Sequence, residues 1–140
     1  MAYCTQEDLL KQIPTKELAE LTAEVGEVPD GLVVAEAVTK ADAEIDSYLG
    51  SRYVVPFSPV PARIKALSVD IAIYYLYSRR SLVSAGWRQR YEAALAFLRE
   101  VAAGRTVVEG VTGEPPGSLR EVTEISSATR VFSRDNLGEW

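Results

Sequence analysis

The sequence has no histidine and only one cysteine, Cys4, among its 140 residues. These shortages exclude an intrachain disulfide, a zinc site built from cysteine and histidine, and any catalytic dyad or triad that uses histidine as its base. Cys4 has no neighbouring base to activate it, so we expect a small buried side chain rather than a nucleophile. The glycines match neither a phosphate-binding loop nor a dinucleotide-binding pattern, so we expect no cofactor and no metal.

Long apolar runs are missing as well. No stretch approaches the roughly 18 consecutive apolar residues of a membrane-spanning helix. The first residues lack the basic and apolar segments of a secretory signal. We therefore expect no membrane association and a protein that is made in a reducing cytoplasm.

The charges are acidic in total and unevenly distributed. Lysine and arginine number 15 against 20 aspartates and glutamates, for a net charge of −5, which argues against a nonspecific DNA coat. Residues 1–50 carry three lysines and eleven acids, whereas residues 51–104 carry eight basic residues and three acids. This pattern indicates either a molecule with two electrostatic faces or ordinary solvated helix surfaces.

The apolar spacing and the capping residues predict an all-α protein, a small bundle of about five helices of which two are short. The long third helix has a narrow apolar seam, and Lys40 lies four residues from both Glu36 and Glu44, as in helix-supporting ion pairs. The fourth is apolar almost all round, which is typical of a helix at the centre of a bundle or against a neighbouring subunit. The first predicted helix follows a Thr5 cap and ends before Pro14, and the second follows a Thr15 cap and ends near Leu21. The third runs from Asp30 to Leu49 with Gly50 as C-cap, the fourth runs from Pro61 through Ser78, and the fifth runs from just after Gly86 to Gly104.

The pattern changes after Gly104, where glycine and proline interrupt any regular element. We therefore expect a helical bundle domain over residues 1–104 and an extended C-terminal arm over 105–140, with a short β-hairpin as an option for the arm. The arm is too poor in apolar residues to build a core of its own. Its large side chains Phe132, Leu137 and Trp140 are candidate anchors on a partner.

Asp70 is a carboxylate inside the most apolar predicted helix. An unpaired buried charge is unfavourable, so we expect a buried ion pair with Arg63 or Arg52. A catalytic role for Asp70 would need a pocket and a second titratable group. Asp42, Glu44 and Asp46 crowd one helix instead of a loop, so they predict a solvated or intersubunit face and not a calcium site.

Arginines also surround the predicted turn between the last two helices. The candidate partner interface there consists of Arg79, Arg80, Trp87, Arg88 and Arg90. Arginines with aromatic residues are typical of protein interfaces, and they also serve nucleic-acid backbones. A protein interface, a solvated turn and a nucleic-acid contact all remain open for these residues.

Four segments resemble the small Mu-like phage and prophage morphogenesis proteins, in the same order along nearly the whole chain: residues 1–10, 41–53, 67–72 and 132–137. The most specific is the stretch A-x-x-E-I-D-x-Y-L-x-x-R-Y at residues 41–53. The resemblance implies a structural virion protein, a head–tail connector or neck adaptor that forms a ring, expected to be dodecameric, between portal protein and a tail or stopper protein.

The same resemblance implies an arm that grips the portal or a neighbouring copy, proximity to packaged DNA without sequence specificity, and a location in the virion neck. It supplies no catalytic residues, so we expect a protein that is not an enzyme. Alternatives are a neighbouring neck or tail-completion protein, and a small helical module that binds nucleic acid or regulates. A hydrolase with Asp70 at the mouth of a pocket is a third and remote option.

Overall fold

The computed structural model of the chain describes residues 2–111, and every regular element in that range is a helix. The prediction of an all-α bundle with five helices, two of them short, is confirmed. The possible β-hairpin and the anchors Phe132, Leu137 and Trp140 lie outside the described residues. The helices are α1 (Gln6–Leu10), α2 (Thr15–Thr22), α3 (Gly31–Leu49), α4 (Ala62–Arg79) and α5 (Ala85–Ala102).

Polar caps begin three of these helices, as the sequence indicates for the first and third. The Thr5 hydroxyl accepts the Asp8 N–H while the Asp8 carboxylate accepts the Thr5 N–H, a reciprocal capping box. Asp30 caps α3 by accepting the Leu32 N–H at 2.9 Å. Ser84 caps α5 by accepting the N–H three residues on.

Three predicted helix starts are wrong by one or two residues. Pro61, expected in the first turn of α4, is its N-cap, and α4 begins at Ala62. Thr15 is the first residue of α2 and Pro14 occupies the cap, since proline already has the extended backbone (ψ 155°) of that position. The last helix begins at Ala85, so Gly86 lies within it. Gly50 follows α3 as predicted, with an ordinary right-handed φ of −62°.

Helix α4 is the centre of the bundle, which explains its apolar surface on most sides. It is antiparallel to α3 and to α5, and α1 and α2 cover its third side. Polar contacts mark the three neighbours: Ser68 bonds to Asp42 of α3, Tyr74 stacks on Tyr91 of α5, and Tyr77 bonds to a glutamate of α2. No neighbouring subunit is needed to bury this helix.

The antiparallel order gives the bundle two ends. The loop end contains residues 20–36 and 76–88, where α2 turns into α3 and α4 into α5. The exit end contains residues 46–66 and 97–111, where α3 turns into α4 and the chain leaves α5. Residues 105–111 of the predicted arm pack here, since Val108 is buried and donates its N–H to the Tyr53 hydroxyl at 3.1 Å.

Candidate interaction surfaces

Two of the candidate interface arginines hold α2 in place. Arg79 donates to the carbonyl of Leu21 at 2.9 Å, and Arg80 donates to the carbonyls of Leu21 and Ala23 at 3.3 and 3.1 Å. These carbonyls lack helical partners because α2 ends there, and a guanidinium also suits the negative end of the helix dipole. Arg79 and Arg80 therefore have an intramolecular role, and a partner role for them stays a prediction.

Arg90 is the ion-pair partner of Asp70, so the expected pairing with Arg63 or Arg52 is wrong. Its Nη1 lies 3.5 Å from Asp70 Oδ1 and 3.2 Å from Gln12 Oε1, and its guanidinium stacks 4.7 Å from the centre of the Trp87 ring. The antiparallel pairing of α4 and α5 brings residue 90 beside residue 70. Arg63 lies two turns before Asp70 on α4, and its guanidinium stacks 4.5 Å from the centre of the Phe97 ring.

Asp70 is half-buried, with 28% of its side chain exposed, so its ion pair is less buried than expected. Burial raises the pKa of Asp70, and the positive charges of Arg90 and Arg63 partly oppose that shift. The carboxylate lines a groove of about 480 Å³ between α1, α4 and α5. The other acid of this groove, Asp8, pairs with Lys65 at 3.4 Å and caps α1, so both carboxylates have structural partners.

Arg88 differs from the other arginines of this turn. Within residues 2–111 its side chain forms no hydrogen bond or ion pair, and it lines a shallow groove of about 320 Å³ with Tyr74 and Val83. It is the member of the candidate interface that the fold leaves most available to a partner.

The acids at the middle of α3 face inward, so the expected solvated face is wrong. Asp42 is 9% exposed and accepts the Tyr3 N–H at 2.9 Å and the Ser68 hydroxyl at 2.6 Å. Asp46 accepts the Tyr3 hydroxyl, and Glu44 accepts the hydroxyls of Tyr75 and Tyr91. These bonds tie the N-terminal segment, α4 and α5 to α3, and they replace the helix ion pair expected between Glu44 and Lys40.

Cys4 belongs to the same network and has the inert role that its sequence context indicates. It is buried, with Sγ 3.1 Å from the Ser68 hydroxyl. Burial raises the pKa of its thiol to about 11, and nearby Asp42 adds to the shift. A thiol in that state is protonated at neutral pH and is a poor nucleophile.

The distinctive stretch at residues 41–53 acquires a physical explanation from these contacts. Ile45 and Leu49 are fully buried between α3 and the rest of the bundle, and the carboxylates of Glu44 and Asp46 accept hydrogen bonds from tyrosines. Tyr53 ends the stretch by holding the chain that leaves α5. One segment therefore connects the N-terminus, the central helix and the exit of the chain.

Exposed large apolar side chains mark the two ends of the bundle, and sequence reasoning missed them. The loop end carries Val25 (88% exposed), Val28, Leu32 (83% exposed) and Leu82, and the exit end carries Val54 and Val107. The positions of Val25 and Val28 could have indicated their exposure. Both valines lie among acids in a loop that contains glycine and proline, where a core residue is not expected.

The two ends also differ in charge. The loop end has five carboxylates against three arginines, two of which bond to α2. The exit end has five cations (Arg52, Arg63, Lys65, Arg99 and Arg105) against three carboxylates. The charge asymmetry seen in the sequence thus becomes a difference between opposite ends of one bundle.

The described part of the chain adds two negative findings. None of its helices has the length and apolar character to span a membrane. Across the same residues, no cluster of three or more acidic, cysteine or histidine side chains is arranged to hold a metal ion.

Comparison with known proteins places these features in context. A family described as "Bacteriophage Mu, Gp36" matches residues 3–124. The "Mu-like prophage FluMu protein gp36" of Haemophilus influenzae is 38% identical over 103 residues, which cover 73% of this chain and 72% of that protein. "Gene product J" of Escherichia phage Mu is 30% identical over 142 residues, which cover 99% of both chains.

Proposed function

The chain belongs to the Bacteriophage Mu, Gp36 family, and we propose that it is a structural protein of a tailed phage or prophage that joins head to tail as a ring-forming neck adaptor. Membership in this family confirms the resemblance to Mu-like phage proteins. The proposed role is assembly without catalysis. Its proposed partners are portal protein on one side and a tail or stopper protein on the other.

The observation that carries this proposal is the contrast between the two ends of the bundle. An acidic apolar surface lies at the loop end and a basic apolar surface at the exit end, separated by about 27 Å for an 18-residue helix. A protein that joins two different partners needs two different surfaces on a rigid spacer. Surfaces of opposite charge on one molecule also favour head-to-tail contacts between copies, which close into rings when the rotation permits.

The contacts inside the bundle support the role of a rigid spacer. Helix α4 is buried by three sets of neighbours, and carboxylate–tyrosine bonds connect α3 to the other elements. Such a bundle transmits position from one end to the other without rearrangement. In the proposal the arm supplies further anchors, Phe132, Leu137 and Trp140, on the portal or a neighbouring copy.

The first test is the copy number of this chain relative to portal protein in purified virions, measured by quantitative mass spectrometry. A neck ring predicts near-equal copies of the two proteins. Absence of the chain from mature particles would overturn the connector proposal and leave an assembly factor.

A charge placed on the apolar loop end tests the surface itself. Leu32→Asp and Val28→Asp alter exposed positions, so we expect stability to change by less than about 0.5 kcal/mol while unjoined heads and tails accumulate. Ala43→Asp, on the exposed middle of α3, is the matched control and should leave joining intact. Normal yields of joined particles from both loop-end variants would refute a partner role for this surface.

The alternative of a nucleic-acid-binding module relies on the arginine turn, where Arg79, Arg80 and Arg90 bond within the bundle. The geometry therefore favours the connector. A salt titration separates the two functions, because several phosphate contacts make affinity fall steeply as salt rises. No binding to duplex DNA at low salt would remove the alternative.

A further inference from the structure

The loop end of the bundle displays large apolar side chains among acids. Val25, Val28 and Leu32 are mostly exposed there, in the loop between α2 and α3 and in the first turn of α3. Residues 17–39 contain six acids and no lysine or arginine. Exposed apolar side chains that are grouped at one end of a protein mark an interaction surface.

Hydrogen bonds hold this loop in a defined arrangement. The hydroxyl of Thr22, at the end of α2, accepts the N–H of Asp30 at 2.9 Å and so joins the two ends of the loop. Arg80 donates to the carbonyl of Ala23 at 3.1 Å and ties the loop to α4. The valines are therefore presented from a fixed backbone, and a surface that is already ordered loses less conformational entropy when it binds.

The exit end has the opposite chemistry. Val54 and Val107 are exposed there, and the bond between the Tyr53 hydroxyl and the Val108 N–H holds their two segments side by side. This end also carries five cations against three carboxylates. An apolar surface with an excess of positive charge therefore lies at the end of the bundle opposite to the acidic apolar surface.

We infer that the loop end of one copy of this chain binds the exit end of a second copy. The apolar side chains of the two ends cover one another, and the acids of the loop end face the cations of the exit end. Because the contact joins two different surfaces, each copy keeps one free end for the next copy, and the series closes into a ring if the rotation permits. The inference rests on the proposed function only in naming this contact as the one between neighbours in the ring.

The charges of the loop end disfavour other occupants. Nucleic acids and the anionic surface of a membrane are both rich in negative charge, which the acids of residues 17–39 repel. A protein surface that combines apolar side chains with cations suits the loop end, and the exit end of a second copy is such a surface. Every copy carries both surfaces, so the complementary partner is always present at the same concentration.

The test is chemical crosslinking of the full-length protein with one new cysteine at each end. Leu32→Cys and Val54→Cys alter exposed positions, while the native Cys4 is buried and does not compete for the reagent. The two variants are mixed at about 0.1 mM each and treated with a short bismaleimide, and the products are identified by mass. A contact that holds the two thiols at a millimolar effective concentration should make the mixed 32–54 product form about tenfold faster than either like product.

Matched controls test the specificity and the electrostatic part of the contact. Ala43→Cys, on the exposed middle of α3, should crosslink to neither end at an increased rate. Raising the salt concentration to about 0.5 M should slow the mixed product, because screening weakens the attraction between exposed charges. Glu24→Gln combined with Glu27→Gln should also slow it, whereas Glu92→Gln, at an exposed position of α5, should not.

Two outcomes would overturn the inference. Faster crosslinking of Leu32→Cys to itself than to Val54→Cys would show a two-fold contact between loop ends. A mixed product that forms no faster than with the Ala43→Cys control would show that copies do not meet in this way, and would leave the loop end to a different protein.

The copy number in virions separates a failure of this inference from a failure of the connector proposal. A chain that is present at the copy number of portal protein, but gives no mixed product, keeps the connector and loses this contact. A chain that gives the mixed product, but is absent from mature particles, keeps the contact and loses the connector.

Discussion

The hydroxyl of Tyr3 is the contact whose removal tests the inward-facing acid network most directly. It donates to Asp46 and accepts the Phe57 N–H at 3.1 Å, and the side chain is only 2% exposed. Tyr3→Phe preserves the ring, which packs 6.1 Å from the ring of Phe57, and deletes only the oxygen. The variant therefore isolates the two hydrogen bonds from the apolar packing.

The expected loss of stability in Tyr3→Phe follows from the groups that this variant leaves without a hydrogen-bond partner. The buried Phe57 N–H loses its acceptor, at about 1–3 kcal/mol, while Asp46 is partly exposed and regains water. The sum is about 2–3 kcal/mol of unfolding free energy. For a domain of roughly 110 residues, this corresponds to a Tm lower by about 10 °C. Equilibrium denaturation followed by circular dichroism measures the change.

Tyr48→Phe is the matched control, because the hydroxyl of this half-buried tyrosine makes no hydrogen bond within the described range. It should cost less than about 0.5 kcal/mol. Asp46→Asn combined with Tyr3→Phe should cost less than the sum of the single variants, since the two share one bond. Equal stabilities of Tyr3→Phe and Tyr48→Phe would refute the view that α3 acids anchor the N-terminus.

Two further predictions concern glycine and alkaline pH. Gly104→Ala and Gly110→Ala should both destabilise, because both glycines have φ above +80°, whereas Gly86→Ala in α5, where no positive φ is required and a Cβ meets nothing within 4 Å, should not. Equal thermal stabilities of the three variants would contradict this reasoning. Burial and neighbouring carboxylates raise the pKa of Tyr3, Tyr75 and Tyr77, so the unfolded state releases these protons near pH 10 while the folded state retains them. Stability should therefore fall as pH rises above about 10, by up to about 1.4 kcal/mol per tyrosine and pH unit. Stability that stays constant from pH 9 to pH 11 in urea titrations would show that the hydroxyls ionise freely.

Local features of the chain were enough to predict the helices and the burial of α4, although not what covers α4. Thr5, Asp30 and the prolines act on the backbone within a few residues, so their effect is independent of the rest of the fold. A helix with apolar residues all round has to be covered on all sides, whatever covers it. Thr15, Pro61 and Gly86 misplaced a helix start, because at each of them a cap and a first turn look alike in sequence.

The partners of charged side chains were not predictable in the same way. The charges of Asp42 and Asp46 suggested solvent, but the N-terminal segment that covers them comes from about 40 residues away. The arginines of the last turn were recognised as a group, although their contacts with α2 and with Asp70 depend on how α2 and α5 pack on α4. The exposed valines of the loop end were missed because an apolar residue in a loop can be either buried or displayed.

By itself, the sequence determined the all-α class, the burial of one apolar helix, the inert cysteine and the resemblance to Mu-like phage proteins, because each depends on composition, local spacing or residue order. The tertiary structure alone decided that α4 is the centre of the bundle, that Arg90 pairs with Asp70, that the acids of α3 bind tyrosines, and that the guanidinium of Arg52 lies beside Gly104. Those pairings depend on the antiparallel register of α3, α4 and α5. Register is set by the packing of many apolar side chains at once, so no short stretch of residues encodes it.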